Sequence, residues 1–271
     1  MVVIGPNKSE ILVIAHRGGR YWKGKNKNFN YVSEALYHGA DIIELDIRLK
    51  EGEYVVQHSK ATVCQGKLED ALKKVGKTPV YLDIKDEKID PNNLISFTRK
   101  RLENKIIIGS FYSSILKKIK KTKNLIISYQ IYSPLYDIKT VKKLNADWVV
   151  LWNYNIAGWK IHELNKNNIN FAPAGNLLPK QQLNYVKKGA NAIFVYDVKR
   201  FKKIVSKENI YSKNKAKKLT PLRFFYSKIK KIEPFIPIDK TIIDVKPDFR
   251  LKNFSTFMYN LTVFKINFKL K

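Results

Sequence analysis

The sequence is poor in the residues that support disulfide or thiolate chemistry. It has one cysteine, Cys64, in 271 residues, so it can form neither an internal disulfide nor a cysteine-rich zinc site. Acidic residues are also scarce: 23 Asp and Glu stand against 52 Lys and Arg, a formal net charge of +29. Such an excess favours anionic partners in general, whether phosphate-bearing small molecules, anionic membrane or nucleic acid, and selects none of them. Long apolar runs are missing as well. No stretch approaches the roughly 20 apolar residues of a membrane span. The run Ile11–Ala15 is too short for a signal-peptide core and leads straight into His16-Arg17-Gly18-Gly19. A soluble cytoplasmic protein is the resulting expectation. No Gly-x-Gly-x-x-Gly turn occurs, which counts against an open dinucleotide-binding sheet.

What the chain does have is enough apolar material for a substantial core, at 44% hydrophobic and 12% aromatic. An α/β barrel commonly fills about 250 residues as one unit, so one large domain with an appendage fits the length. Eight β-rich runs recur along residues 10–198: Ile11-Leu-Val-Ile, Asp41-Ile-Ile-Glu-Leu-Asp-Ile, Val80-Tyr-Leu-Asp-Ile, Ile106-Ile-Ile, Leu125-Ile-Ile-Ser-Tyr, Trp148-Val-Val-Leu, Ile169-Asn-Phe-Ala and Ala192-Ile-Phe-Val. Continuous apolar runs suit parallel strands covered on both faces.

Helical periods separate them, among them Leu68, Ala71, Leu72 and Val75, and Leu94, Ile95, Thr98 and Leu102 behind Asp90 as N-cap and Pro91 at the first helical position. Gly39, Gly76 and Gly189 mark helix ends. The triplets Gly39-Ala40-Asp41, Asn145-Ala146-Asp147 and Gly189-Ala190-Asn191 each end a helix and launch a strand. Eight strands with seven intervening helices predict an α/β fold, a (β/α)8 TIM barrel over residues 1–206, with a basic, partly β C-terminal extension over 207–271. Residues 199–271 carry twenty Lys and Arg against five Asp and Glu, a net of +15. They read either as extra strands whose lysines face water or as a peripheral contact with anionic membrane.

In such a barrel the active site lies at the C-terminal ends of the strands. Four clusters fall there: His16-Arg17-Gly18-Gly19, Glu44-Leu-Asp46, Tyr54-Val-Val-Gln-His58 and Asp83-Ile-Lys85. Residues two apart on a strand point the same way, so Glu44 with Asp46, and Asp83 with Lys85, enter the barrel mouth together. Three converging carboxylates repel one another unless a hard cation holds them, and oxygen ligands suit Mg2+ or Ca2+. His16 and His58 can move protons near neutral pH, and Arg17 and Lys85 supply fixed positive charge for a phosphate.

This succession of motifs, His16-Arg17-Gly18, Gly39-Ala40-Asp41, Glu44-Leu45-Asp46, Val55-Val56-Gln57-His58 and Leu82-Asp83-Ile84-Lys85, resembles the glycerophosphodiester phosphodiesterase family, a phospholipase C-like TIM-barrel group. The resemblance implies a phosphoric diester hydrolase that cleaves glycerophosphodiesters to glycerol phosphate and an alcohol. His16 and His58 would be its acid–base pair, Glu44, Asp46 and Asp83 would hold one divalent cation, Mg2+ or Ca2+, and Arg17 and Lys85 would bind the substrate phosphate. Departures from the family pattern fall at Asn26-Lys-Asn-Phe-Asn30, at Ser59 after His58, at Asp83 in place of the commoner Glu, and in Asn170-Phe-Ala-Pro-Ala-Gly175. Asp197 matches an acidic position of the family and reads as structural. The rival readings are a lysophospholipid-cleaving enzyme acting at a membrane and a non-catalytic phosphate-binding barrel. A nucleic-acid partner ranks last, since no recognisable module for it is present.

Overall fold

The computed structural model describes residues 11–19, 28–132, 138–152, 158–175 and 179–207. The 207–271 extension therefore lies outside the described residues but for its first position, as do Asn26 and Lys27 of the departing loop. Strand and helix alternate as β1 (Leu12–Ala15), α1 (Asn30–Tyr37), β2 (Ile42–Lys50), β3 (Glu53–Val56), β4 (Gly66–Lys67), α2 (Leu68–Val75), β5 (Val80–Ile84) and α3 (Pro91–Arg99). They continue as β6 (Ile106–Ser110), α4 (Ser113–Lys117), β7 (Leu125–Ile131), α5 (Ile138–Lys143), β8 (Trp148–Trp152), α6 (Gly158–Lys166), β9 (Asn170–Ala174), α7 (Pro179–Lys187), β10 (Ala192–Val195) and α8 (Val198–Lys207).

Eight of the strands form one parallel sheet in the order β10-β1-β2-β5-β6-β7-β8-β9. The first and last strands in sequence pair in parallel, Leu12 with Ala192 through Ala15 with Val195. At the remaining seam, between β9 and β10, Asn191 donates its backbone N–H to Phe171 O at 2.9 Å while its own carbonyl accepts from Leu12 N at 3.1 Å. The fold is a (β/α)8 barrel.

The continuous apolar runs are explained by burial on both faces. Ile14, Ile42, Tyr81, Ile107, Trp148, Val150 and Phe194 fill the barrel interior, while Val13, Ile43, Leu45, Leu82, Ile108 and Val149 pack outward against the helices. Burying one such aliphatic side chain stabilises by roughly 1.5–3 kcal/mol. Asp90 caps α3 as expected, its Oδ1 accepting from Asn93 N at 2.9 Å ahead of Pro91, a contact typically worth about 1 kcal/mol.

The repeated triplets have a common structural role. Asp41, Asp147 and Asn191 each donate a backbone N–H to one residue of the strand before, Val13, Ile127 and Phe171 respectively. Each also accepts that same residue's N–H with its side-chain oxygen, at 2.8, 3.0 and 2.8 Å. The two-bond clamp fixes register where a helix hands over to a strand. Asp197 has a different structural role, at the start of α8, where its Oδ1 accepts from Arg200 N at 2.8 Å.

One element is longer than the motif suggested. Glu44 and Asp46 lie mid-strand, because β2 continues past the barrel rim to Lys50 and pairs antiparallel with β3, Ile47 with Val56 through Lys50 with Glu53. That ribbon folds His58 back over the rim, with Gln57 N donating to Asp46 O at 2.9 Å.

Candidate active site

His16 is the first residue after β1, and there the backbone changes hand: Arg17, Gly18 and Gly19 all have positive φ, at 53°, 75° and 98°. The turn aims the Arg17 backbone N–H at Glu44 Oε2, at 2.6 Å. It also brings Arg17 Nε to 3.2 Å from Asp46 Oδ2. Glycine is required beside it, since Gly18 faces the Tyr31 ring and Gly19 faces Ala35 at distances that leave no room for a methyl group.

Glu44, Asp46 and Asp83 are each at most 3% exposed, and β2 and β5 run in register with Asp46 opposite Asp83. One oxygen from each of the three lies within 4.8 Å of the others. Lys85 Nζ pairs with Asp83 Oδ2 and stands 3.3 Å from Asp46 Oδ1. Glu44 Oε1 and Asp83 Oδ1 are buried without a hydrogen-bond partner among the described residues. Leaving buried carboxylate oxygens unpaired is costly, so this donor set fits a hard divalent cation. Of the described residues, this is the one group of three or more His, Cys, Asp or Glu side chains close enough to share an ion.

The electrostatics agree with that fit. Burial, with the like charges of Asp46 and Asp83, pushes Glu44 well above the usual carboxylate range, against the Arg17 N–H and Lys85. Burial acts on Asp46 in the same direction, but Lys85, His58 and Arg17 together outweigh it and hold Asp46 far below that range. Burial also raises Asp83, although Lys85 opposes it. Lys85 is itself buried, which disfavours its charge, yet Asp83 and Asp46 raise it above its ordinary value.

Each of the two histidines approaches a different carboxylate of this cluster. His16 is 3% exposed, with Nε2 at 3.8 Å from Glu44 Oε2. Its ring stacks on Tyr196 at 4.5 Å and meets the edges of Phe194 and Trp152 at 5.7 and 5.9 Å. Burial lowers its pKa well below 6.5, and Arg17 and Lys85 add to that against the opposing charge of Asp46. His58, half-buried, places Nδ1 at 3.1 Å from Asp46 Oδ2. Arg48, buried further along β2, donates Nε to His58 O at 3.3 Å. The turn Ser59–Thr62 is tied by Thr62 Oγ1, which accepts from Ser59 N and donates to Ser59 O.

All seven site residues expected from the sequence thus meet at one end of the barrel. The motifs did not disclose two features. Arg48 continues the two-residue alternation of Glu44 and Asp46, which was a usable signal. The aromatic group on the rim, Phe111 stacked on Tyr132 at 4.0 Å with Trp152 tilted against both, comes from three different strand ends and has no local pattern.

No family model matches this sequence, and no curated protein matches it by sequence. Solved structures do match it. The glycerophosphodiester phosphodiesterase of Thermotoga maritima has a TM-score of 0.59 at 18% identity, over 72% of this chain and 98% of that one. A phosphodiesterase of Oleispira antarctica, solved with the product sn-glycerol-3-phosphate, has a TM-score of 0.62 at 14% identity, over 72% and 96%. A glycerophosphodiester phosphodiesterase of Parabacteroides distasonis has a TM-score of 0.58 at 18% identity, over 75% and 100%. This chain therefore has the glycerophosphodiester phosphodiesterase fold, in line with the motif resemblance. Among the described residues no helix is long and apolar enough to cross a membrane.

Proposed function

We propose that this barrel is a phosphoric diester hydrolase that cleaves a glycerophosphodiester to glycerol phosphate and an alcohol, with one Mg2+ or Ca2+ held by Glu44, Asp46 and Asp83. The observation that carries the reading is a pair of histidines beside a buried three-carboxylate cluster, His16 at 3.8 Å from Glu44 and His58 at 3.1 Å from Asp46. The sn-glycerol-3-phosphate in the Oleispira antarctica structure supports the substrate class.

When bound, a divalent cation neutralises charge on a non-bridging phosphoryl oxygen. Arg17 and Lys85 orient the phosphate and stabilise its equatorial charge. His16, kept neutral by burial, accepts the proton of the attacking hydroxyl, which belongs to water or to the neighbouring glycerol carbon. A new P–O bond forms to that oxygen while the P–O bond to the leaving alcohol breaks, and His58 donates a proton to the departing alkoxide; where the attacking hydroxyl is the glycerol's own, the product is a cyclic phosphate, which water then opens to glycerol phosphate by the same exchange of one P–O bond for another. Asp46 orients His58 through Nδ1, leaving Nε2 for the substrate.

Phosphorus NMR of the protein with glycerophosphocholine, glycerophosphoglycerol and lysophospholipids, with and without Mg2+ or Ca2+, tests the reading. Cation-dependent release of glycerol phosphate is the expected result, and substrate binding without any product would make the protein a non-catalytic phosphate-binding barrel. The rim aromatics Phe111, Tyr132 and Trp152 favour a second reading, in which the substrate is a lysophospholipid with an apolar portion against those rings. Turnover that rises with acyl-chain length supports it. The basic, aromatic composition of 199–271 further suggests peripheral contact with anionic membrane, checked by sedimentation with anionic vesicles at low and high salt.

A further inference from the structure

Surface charge is unequal at the two ends of the barrel. At the end remote from the candidate site, each helix from α1 to α7 hands over to the next strand. From the last turn of those helices to the strands that follow, sixteen Lys and Arg side chains are exposed against two Asp and Glu. At the mouth, from the strand ends to the first turn of the next helices and with the β2–β4 ribbon included, the described residues expose seven against six. A basic bias of the whole chain would load both ends alike. Cations also complement the C-terminus of a helix, but Lys77, Lys100 and Lys118 already lie past their helices. The run Lys117-Lys-Ile-Lys-Lys-Thr-Lys123 places five like charges in seven residues, and such a field attracts an anionic partner.

The exposed cations come from six of the seven connections. The charge is thus spread round the barrel end as a disc, rather than drawn out as the stripe that a nucleic-acid strand follows. The seventh connection, after α1, carries Tyr37, which is 86% exposed. Tyrosine favours the membrane–water interface, where its ring sits at headgroup level. α8 runs from the mouth to this same end, where Lys202 Nζ lies 3.6 Å from Asp41 Oδ2, just ahead of β2. The chain therefore enters residues 208–271 from the basic face, and those residues carry fifteen Lys and Arg against five Asp and Glu. Two basic segments that start from one place repel each other unless one anionic surface lies against both.

We propose that this end of the barrel docks on an anionic lipid bilayer, with Tyr37 at headgroup level. The docking goes beyond contact through 199–271, because lysines of the barrel itself carry it, and it does not depend on the hydrolase reading. Where that reading holds, Glu44, Asp46 and Asp83 lie at the far end, so the bound enzyme draws its substrate from water.

Co-sedimentation of the full chain with phosphatidylserine–phosphatidylcholine vesicles tests it. Binding should be measurable at about 0.1 M salt, where charges more than about 10 Å from the surface are screened, and should fall as salt rises. A basic side chain at such a surface changes affinity by about five-fold. The exposed Lys77, Lys123 and Lys143 lie on this face. The triple variant Lys77→Gln, Lys123→Gln, Lys143→Gln should bind roughly 25- to 100-fold more weakly while melting like the wild type. A matched control at the mouth, Lys50→Gln, Lys60→Gln, Lys88→Gln, removes the same charge and should change binding by less than about two-fold. A wild type that does not bind at any salt concentration overturns the proposal. Equal losses in the two triple variants overturn it too, since net charge alone would then explain binding. So does wild-type affinity in the first triple variant, which would leave 199–271 as the membrane contact. Tighter binding to duplex RNA than to vesicles at equal phosphate concentration makes the partner a nucleic acid and overturns it as well. Should the first triple variant melt early, the three single variants decide, each expected to lose about five-fold.

Discussion

His58 Nδ1 lies 3.1 Å from Asp46 Oδ2, so a carboxylate of the three-oxygen cluster also orients a histidine delivered by a separate ribbon. The same oxygen is 3.2 Å from Arg17 Nε, and the other oxygen of Asp46 is 3.3 Å from Lys85 Nζ. Asp46 is therefore the residue on which His58, Arg17 and Lys85 converge. Its charge is held in place by those cations against the cost of burial.

That convergence gives the first prediction. A general acid typically contributes roughly 100- to 10,000-fold in rate. His58→Ala should lower turnover of a substrate with a poor leaving alcohol within that range, and should lower turnover of a nitrophenyl ester far less. Equal losses on both substrates remove the acid role from His58, and the reversed pattern transfers it to His16. Asp46→Asn should be worse than His58→Ala on the nitrophenyl ester, because it also depletes the cation cluster.

Glu44, Asp46 and Asp83 predict a strict cation requirement. Chelation should abolish turnover, and Mg2+ or Ca2+ should restore it. Conservative amide replacements at Glu44 or Asp83 keep the shape but remove a charge. Loss of a few kcal/mol of transition-state stabilisation corresponds to roughly a 100- to 1,000-fold fall in kcat. Rates measured with a chelator present settle the matter, since undiminished activity would remove the cation from the reaction.

Much of this was legible in the sequence because parallel strands buried on both faces are short, apolar and bounded by helix stops. The i, i+2 pairs Glu44/Asp46 and Asp83/Lys85 were readable because strand geometry alone puts them on one face. Arg48 obeyed the same rule but was hidden by assuming that β2 ends at Asp46, whereas its last residues pair with β3. Tyr196, Phe111, Tyr132 and Trp152 could not be read in advance: each follows or ends a different strand, and their meeting depends on barrel closure, a long-range property. The clamp made by Asp41, Asp147 and Asn191 was visible as a repeat, but its two-bond geometry was not.

A pH dependence follows from His16. Burial and the charges of Arg17 and Lys85 lower its pKa below 6.5, so the neutral base form persists into mildly acidic solution. The acidic limb of kcat/KM should therefore have its midpoint below pH 6.5. Removing a neighbouring positive charge with Arg17→Leu should move that limb to higher pH, whatever its effect on the absolute rate. A limb unmoved or shifted downward in Arg17→Leu rules out His16 as the titrating base. The same shift acts on folding. Below pH 6.5 the unfolded chain binds a proton that buried His16 resists, so this group lowers stability as pH falls through that window and adds no pH dependence above it.

The turn that carries Arg17 makes a separate prediction about stability. Gly19 has φ of 98°, and a Cβ built there would lie 2.6 Å from the Ala35 Cβ of α1. A left-handed conformation costs an L-residue about 1–2 kcal/mol, and overpacking a tight contact adds roughly 1–3 kcal/mol. Unlike the Tyr31 ring that faces Gly18, Ala35 cannot swing away, because its methyl group is fixed to the helix backbone. Gly19→Ala should thus destabilise by about 2–5 kcal/mol. At roughly 2–4 °C per kcal/mol for a domain of this size, the melting temperature should fall by about 4–20 °C. Adding Ala35→Gly removes the steric part but costs about 1 kcal/mol of helix propensity, so the double variant should recover some of the loss and never all of it. Because the Arg17 N–H is held at 2.6 Å from Glu44 Oε2 by this turn, the single variant should also weaken cation binding at temperatures where it remains folded. A Gly19→Ala protein that melts like the wild type would mean that α1 does not pack against the turn as described.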